Sequence, residues 1–156
     1  TDQGVFPVGS TGRRIIGNNF FDAPPVVSPD ITVRGAKKGF TVTFAGWYMV
    51  ELAYKLNPIA TWGWNFAPVL YVNGTPTKRG TDCMYTWGAV GSAGSQKSVQ
   101  NSFIVSLDSG GYVEAGYDVA LGAGFPGGAA NVLGGPDGGT GIESYFSISL
   151  LNRSYA

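Results

Sequence analysis

Histidine is absent from this chain, and the absence excludes more chemistry than any residue present suggests. Without an imidazole there is no Ser-His-Asp or Cys-His nucleophile, and most transition-metal sites lose their commonest ligand. Cysteine occurs once, at Cys83, so no intrachain disulfide and no zinc ribbon can form. That thiol reads as a small buried hydrophobe beside Met84. Charge is also scarce, 13% of residues against about 25% in an average soluble domain. Ten basic and ten acidic residues cancel, leaving no basic stripe to displace counterions from a nucleic acid. No apolar run approaches the roughly 20 residues that cross a bilayer as a helix, so membrane insertion is not expected. No basic segment leads into an apolar one as in a secretion signal.

What is present is glycine (25), proline (9) and aromatic residues (13%), in a chain that is 44% apolar. Glycine and proline punctuate short β-branched and aromatic runs, the pattern of an all-β sandwich or barrel. The 156 residues are enough for one domain with a real core. Residues 1–30 read as an extended N-terminal arm. Phe20 and Phe21 precede Pro24, Pro25 and Pro29, which bar a helix or a central strand. The phenylalanines call for burial, on a neighbour or on the chain's own sheet. Arg13, Arg14, Ile15 and Ile16 allow one short edge strand. Residues 31–156 form the domain.

Residues 40–55 are the most informative stretch. Tyr48, Val50, Leu52 and Tyr54 fall on one phase of a two-residue period; Trp47, Met49, Glu51, Ala53 and Lys55 fall on the other. The second face opens bulky and apolar and ends charged, so something must cover its apolar end. Gly46 allows a turn or bulge into this strand. Further strands are expected over 31–34, 40–44, 67–72, 100–107, 112–121 and 143–151. Asn73-Gly74 marks a hairpin, because both positions tolerate positive φ; this outweighs a glycosylation sequon completed by Thr75. Residues 108–111 form a turn. Residues 57–65, 86–98 and 122–141 read as loops. In the closing strand Phe146, Ile148 and Leu150 face the core, and Tyr145, Ser147 and Ser149 face away.

No motif specifies an enzyme. Gly122, Gly124 and Gly127 fit G-x-G-x-x-G on paper, but Pro126 and further glycine stand where a helix must begin. Glu51, Glu114, Asp118 and Glu143 are the acids on strands that glycoside hydrolysis would need; ion pairing is their commoner use. Asp137-Gly138-Gly139 reads as a turn rather than a calcium loop. No catalytic residue, cofactor or metal is expected. Trp62, Trp64 and Trp87 are candidate ligand-facing residues, with packed loops or subunit contacts as the alternative.

Three segments together resemble the globular heads of the complement component one-q and tumour necrosis factor superfamily. Phe40, Gly46, Tyr48 and Val50 are similar to its F-x5-G-x-Y-x-F core. Leu107, Gly110, Gly111 and Val113 are similar to its L-x-x-G-D-x-V turn, with Gly111 in place of the acid. Residues 144–151 are similar to its closing S-x-F-S-G-x-L-L strand. Upstream, Ser28 and Val33 depart from the family's acidic-or-Asn and aromatic positions. No collagen-like stalk precedes the domain, which points away from a complement-type protein. The resemblance implies a two-sheet antiparallel jelly-roll sandwich that forms a homotrimer. It places Trp47, Met49, Glu51, Tyr145, Ser147 and Ser149 against partner subunits.

The Gly/Ala-rich, Cys-poor composition looks more like versions of this fold carried on tailed-phage virions. The expected role is therefore a non-enzymatic homotrimer on a virion surface, either a capsid decoration protein or a tail attachment module. The arm would engage other virion proteins. The alternatives are a receptor- or glycan-binding head meeting a host surface, and a complement-like secreted ligand acting outside the cell. Glu51 near a three-fold axis would gather three carboxylates, which a cation, a bonded base or protonation must relieve.

Overall fold

The computed structural model describes residues 3–4, 12–15, 28–35, 39–58, 64–85, 97–121, 130–133 and 144–154. All the regular elements among them except one short turn are strands: β1 (Gln3–Gly4), β2 (Gly12–Ile15), β3 (Ile31–Arg34), β4 (Gly39–Val42), β5 (Gly46–Pro58) and β6 (Trp64–Val72). They continue with β7 (Thr75–Arg79), β8 (Cys83–Tyr85), β9 (Lys97–Leu107), β10 (Tyr112–Leu121), β11 (Ala130–Leu133) and β12 (Tyr145–Arg153).

Two antiparallel sheets result. In the first, β9 flanks one side of β5, while β12 and then β11 share the other; β1 continues beyond β11. In the second the order is β3-β4-β10-β6-β7, with β2 on the β4 side of β10 and β8 on β6. The chain crosses between sheets after β1, β4, β5, β8, β9 and β10, so it alternates repeatedly between the two layers. This is the expected jelly-roll sandwich.

Each sheet contributes one face to the core. Tyr48, Val50, Leu52 and Tyr54 of β5 are fully buried, in the phase that the alternation assigns inward. Phe103, Val105 and Leu107 of β9 extend that layer. Opposite lie Val113, Ala115, Tyr117 and Val119 of β10, with Phe66 and Leu70 of β6. Each large side chain contributes roughly 1.5–3 kcal/mol on burial. Phe66 stacks on Tyr117 at 5.6 Å between ring centroids and meets Tyr54 edge-on at 5.3 Å. The Tyr54 hydroxyl crosses the sandwich and donates to the Gly116 carbonyl at 2.9 Å. Burial pushes that phenol well above its ordinary range, so it stays a donor.

The turns follow local chemistry. Asn73 and Gly74 have φ of 50° and 79°, the double positive φ of the hairpin type expected for Asn-Gly. Gly110, at φ 80°, turns the chain between β9 and β10.

Several boundaries differ from expectation. Residues 130–133, expected within a loop, form β11, because their backbone pairs with residues 55–58 and carries β5 on to Pro58. The aromatic loop is correspondingly shorter, and Trp64 opens β6. The strand expected over 40–44 ends at Val42, leaving Phe44 exposed under the Arg153 guanidinium, 4.0 Å from its ring centre. Phe146, Ile148 and Leu150 point inward as expected but are only half-buried, since β12 pairs with β5 on one side alone among the described residues. Cys83 is likewise half-buried, at the margin of the core. Arg13 and Ile15 do lie in a short strand on the chain's own sheet. Phe20, Phe21, the Pro24-Pro25 pair, residues 122–129 and residues 134–143 lie outside the described residues.

Tyr54→Phe keeps the ring contacts and removes the hydroxyl that donates to Gly116. The expected loss is about 1–3 kcal/mol of unfolding free energy, read as a lower denaturant midpoint at unchanged m-value.

Candidate assembly face

The outward face of the β5 sheet collects the residues singled out in the sequence. Register sets Met49 opposite Ser149, Glu51 opposite Ser147 and Ala53 opposite Tyr145 on β12. On the other side β9 sets Ser106 opposite Trp47, Ile104 opposite Met49 and Ser102 opposite Glu51. Trp47, Met49, Glu51, Tyr145, Ser147 and Ser149 therefore share one surface. Trp62 and Trp87 lie outside the described residues, as does the side chain of Trp64.

One end of this face is apolar and open. Trp47 is 49% exposed, Ile104 57% and Leu151 50%, with half-buried Met49 between them. Ile104 and Leu151 were not among the expected site residues, yet both carried a signal. Ile104 is the lone apolar residue on the Ser102/Ser106 phase of β9. Leu151 sits on the Ser147/Ser149 phase of β12, where the register slips between Leu150 and Asn152. That bulge sets one extra residue beside Trp47.

Glycine at position 46 has a packing cause. A Cβ there would collide with the carbonyl oxygen of Asn152 and press on Leu150. Glycine thus lets β12 approach β5 at the bulge; a turn is not its role here.

The middle of the face is polar. Ser102 Oγ donates to Glu51 Oε1 at 3.4 Å from β9, and Ser147 Oγ donates to Glu51 Oε2 at 3.3 Å from β12. The carboxylate is thus held centrally by one hydroxyl from each neighbouring strand. Burial, and then the Glu51 charge, push the Tyr145 phenol above its ordinary range.

The other acids are placed elsewhere. Glu114 and Asp118 lie on the second sheet, on the opposite outer surface of the sandwich. Glu114 is buried and accepts from Arg34 Nε at 3.3 Å, while the same guanidinium covers the Tyr112 ring. Asp118 accepts from Arg13 and Arg79. Glu114 and Asp118 are four residues apart on one strand, about 13 Å at strand rise, too far for a glycosidase pair. Glu143 lies outside the described residues. Among the described residues no group of three or more acids or thiols is arranged to hold a metal.

No family model matches the chain, and no curated protein matches its sequence. Among solved structures it is similar to Eiger TNF from S. frugiperda, at 13% identity and a TM-score of 0.48, over 93% of this chain and 88% of that one. Murine APRIL, crystallised at pH 5.0, is similar at 13% identity and a TM-score of 0.39, over 70% of this chain and 83% of that one. The strand order already described, rather than these scores, carries the jelly-roll fold.

Gly46→Ala is expected to displace β12 at its bulge, with a loss of at least about 1 kcal/mol, the scale of a forced core overlap. Proton-exchange protection should fall first along residues 147–153, before the β6–β10 ladder responds.

Proposed function

We propose that this chain is a non-enzymatic structural and binding module that assembles as a homotrimer through the outward face of the β5 sheet. The observation that carries the reading is the contiguous exposure of Trp47, Ile104 and Leu151 around Met49 on an otherwise Ser-rich sheet. Large apolar groups collected in one place mark an interaction surface, whereas scattered ones do not. The apolar end beside a polar, hydrogen-bonded centre has the composition of an interface core with its wetter surround. Heterologous contacts that close at three-fold symmetry satisfy such a face on every copy and leave no open end. The jelly-roll resemblance supports the same number of subunits.

The finer reading is a virion-surface protein, a capsid decoration protein or tail attachment module. Sparse charge and the Phe/Pro-rich arm support it, since such an arm suits docking on another protein. Part of the arm is committed to the domain itself, because β2 pairs with residues 116–119 of β10. Removal of residues 1–11, which keeps β2 and takes from the domain only the two-residue β1 at the edge of the β5 sheet, should abolish docking to an isolated shell and leave the subunit assembly unchanged. Docking by the truncated chain at parental affinity defeats the arm's role. The alternative, an extracellular receptor- or glycan-binding head, instead requires binding to a host surface that Trp64→Ala removes.

Light scattering on the isolated chain should give about three times its 16.3 kDa mass. Ile104→Asp and Trp47→Glu should each weaken assembly by tenfold or more, since each removes about 1.5–3 kcal/mol of apolar burial and buries a charge. A parental chain that stays monomeric at high micromolar concentration overturns the reading.

Glu51 supplies an independent check. Three such carboxylates near one axis repel, so Glu51→Gln should assemble more tightly than the parent at neutral pH. A trimer whose dissociation constant is unchanged by Glu51→Gln removes Glu51 from the axis.

A further inference from the structure

The second sheet carries a separate feature on its outer surface, remote from the β5 face. A cavity of about 120 Å³ is lined, among the described residues, by Arg13, Val69, Pro76, Thr77, Lys78 and Arg79. That space admits several water-sized groups, enough for one carboxylate or sulfate. Three of these six described lining residues are basic and none is acidic.

The backbone explains how they come together. In β7, Pro76 pairs with Tyr71 and Lys78 with Leu70, so Thr77 is an extra residue in the strand. Successive side chains of a regular strand face opposite ways. The bulge relaxes that alternation and re-aims its neighbours, and Thr77, Lys78 and Arg79 all line the same cavity. Arg13 arrives from β2, which register sets against Asp118 of β10.

The charges are unequally satisfied. Arg79 is held at both ends of its fork: Nε donates to Asp118 Oδ2 at 3.0 Å, and the terminal nitrogens donate to Asp82 at 3.2 and 2.5 Å. These bonds hold the Asp82 carboxyl below its usual range. Arg79 is thereby a fixed wall. Arg13 shares the same Asp118 oxygen through Nε alone, at 3.4 Å. Its terminal nitrogens and the Lys78 ammonium have no ion partner among the described residues. Among the described residues, three cations against two carboxylates leave one positive charge in excess at a half-open cavity.

We infer that this cavity binds a single compact oxyanion, the carboxylate or sulfate group of an acidic sugar or the free anion. Arg13 and Lys78 supply the donors, and Arg79 positions the wall. One excess charge and a small volume suit one such group rather than a polyanion.

The test is an amide NMR titration of the full chain with methyl glucuronide and, separately, sodium sulfate. Ionic strength is held constant with chloride. Saturable shifts are expected at Arg13, Thr77, Lys78 and Arg79, with a dissociation constant on the order of 1 mM. Lys78→Gln and Arg13→Gln should each weaken binding about 2- to 5-fold, the range of an exposed charge contact. Tighter saturation by the glucuronide assigns the site to a glycan-borne acid; tighter saturation by sulfate assigns it to a free oxyanion. Shifts that grow linearly with either probe, or saturation unchanged in both variants, overturn the inference. Lys78 is exposed and outside the ion-pair network, so its variant tests the site even if Arg13→Gln loosens β2. Because the cavity lies on the sheet opposite the assembly face, the outcome does not depend on the number of subunits.

Discussion

The burial of one row of side chains, Tyr48, Val50, Leu52 and Tyr54, is the constraint on which the rest of the structure depends. A strand has two faces, and fixing one inward fixes the other outward. Once these four residues enter the core, Trp47, Met49 and Glu51 have no choice of side. Shifting β5 by one residue would bring Trp47, Met49, Glu51 and Lys55 inward and expose four core groups, at a cost comparable with the whole of the roughly 5–15 kcal/mol that separates folded from unfolded chains. The register of β9 and β12 follows, because both pair along β5.

The two outer surfaces of the sandwich then diverge in chemistry. The β5 sheet presents hydroxyls, one carboxylate and an apolar end, with little charge. The β10 sheet presents Arg13, Arg34 and Arg79 clasping Asp118, Glu114 and Asp82. An apolar, weakly charged surface loses little on being covered by protein, because few ions must be desolvated. A surface of paired ions costs more to cover with another protein, because those ions still in water must be desolvated. The division supports assembly through the first sheet and small-ligand contact on the second, and the two proposals draw on separate residues.

Much of the fold was legible because the relevant signals were local. The two-residue period of residues 47–55 assigned the core row of β5 correctly, and the same period in 103–107 and 113–119 assigned those of β9 and β10. Asn73-Gly74 announced its hairpin through its own backbone preference. Ile104 and Leu151 were legible too, as apolar residues on a polar phase, but their weight appears only when register sets them beside Met49 and Trp47. The strand at 130–133 was not legible: four residues among glycines carry no usable period, and only the edge of β5 at residues 55–58 makes them a strand.

Alone, then, the sequence determined the fold class, the inward phase of the long strands and the tight turns, because each depends on neighbours within a few residues. It also bounded the chemistry, since a chain without histidine has no Ser-His-Asp or Cys-His arrangement to offer. The tertiary structure decided what long-range pairing controls. It set Glu51 between Ser102 and Ser147, gave Gly46 its reason in the Asn152 carbonyl, and joined Arg13 to Arg79 through Asp118. Residues separated by 39 to 105 positions meet in that last cluster, and no local pattern encodes such a meeting; only the packing of β2, β7 and β10 into one sheet does.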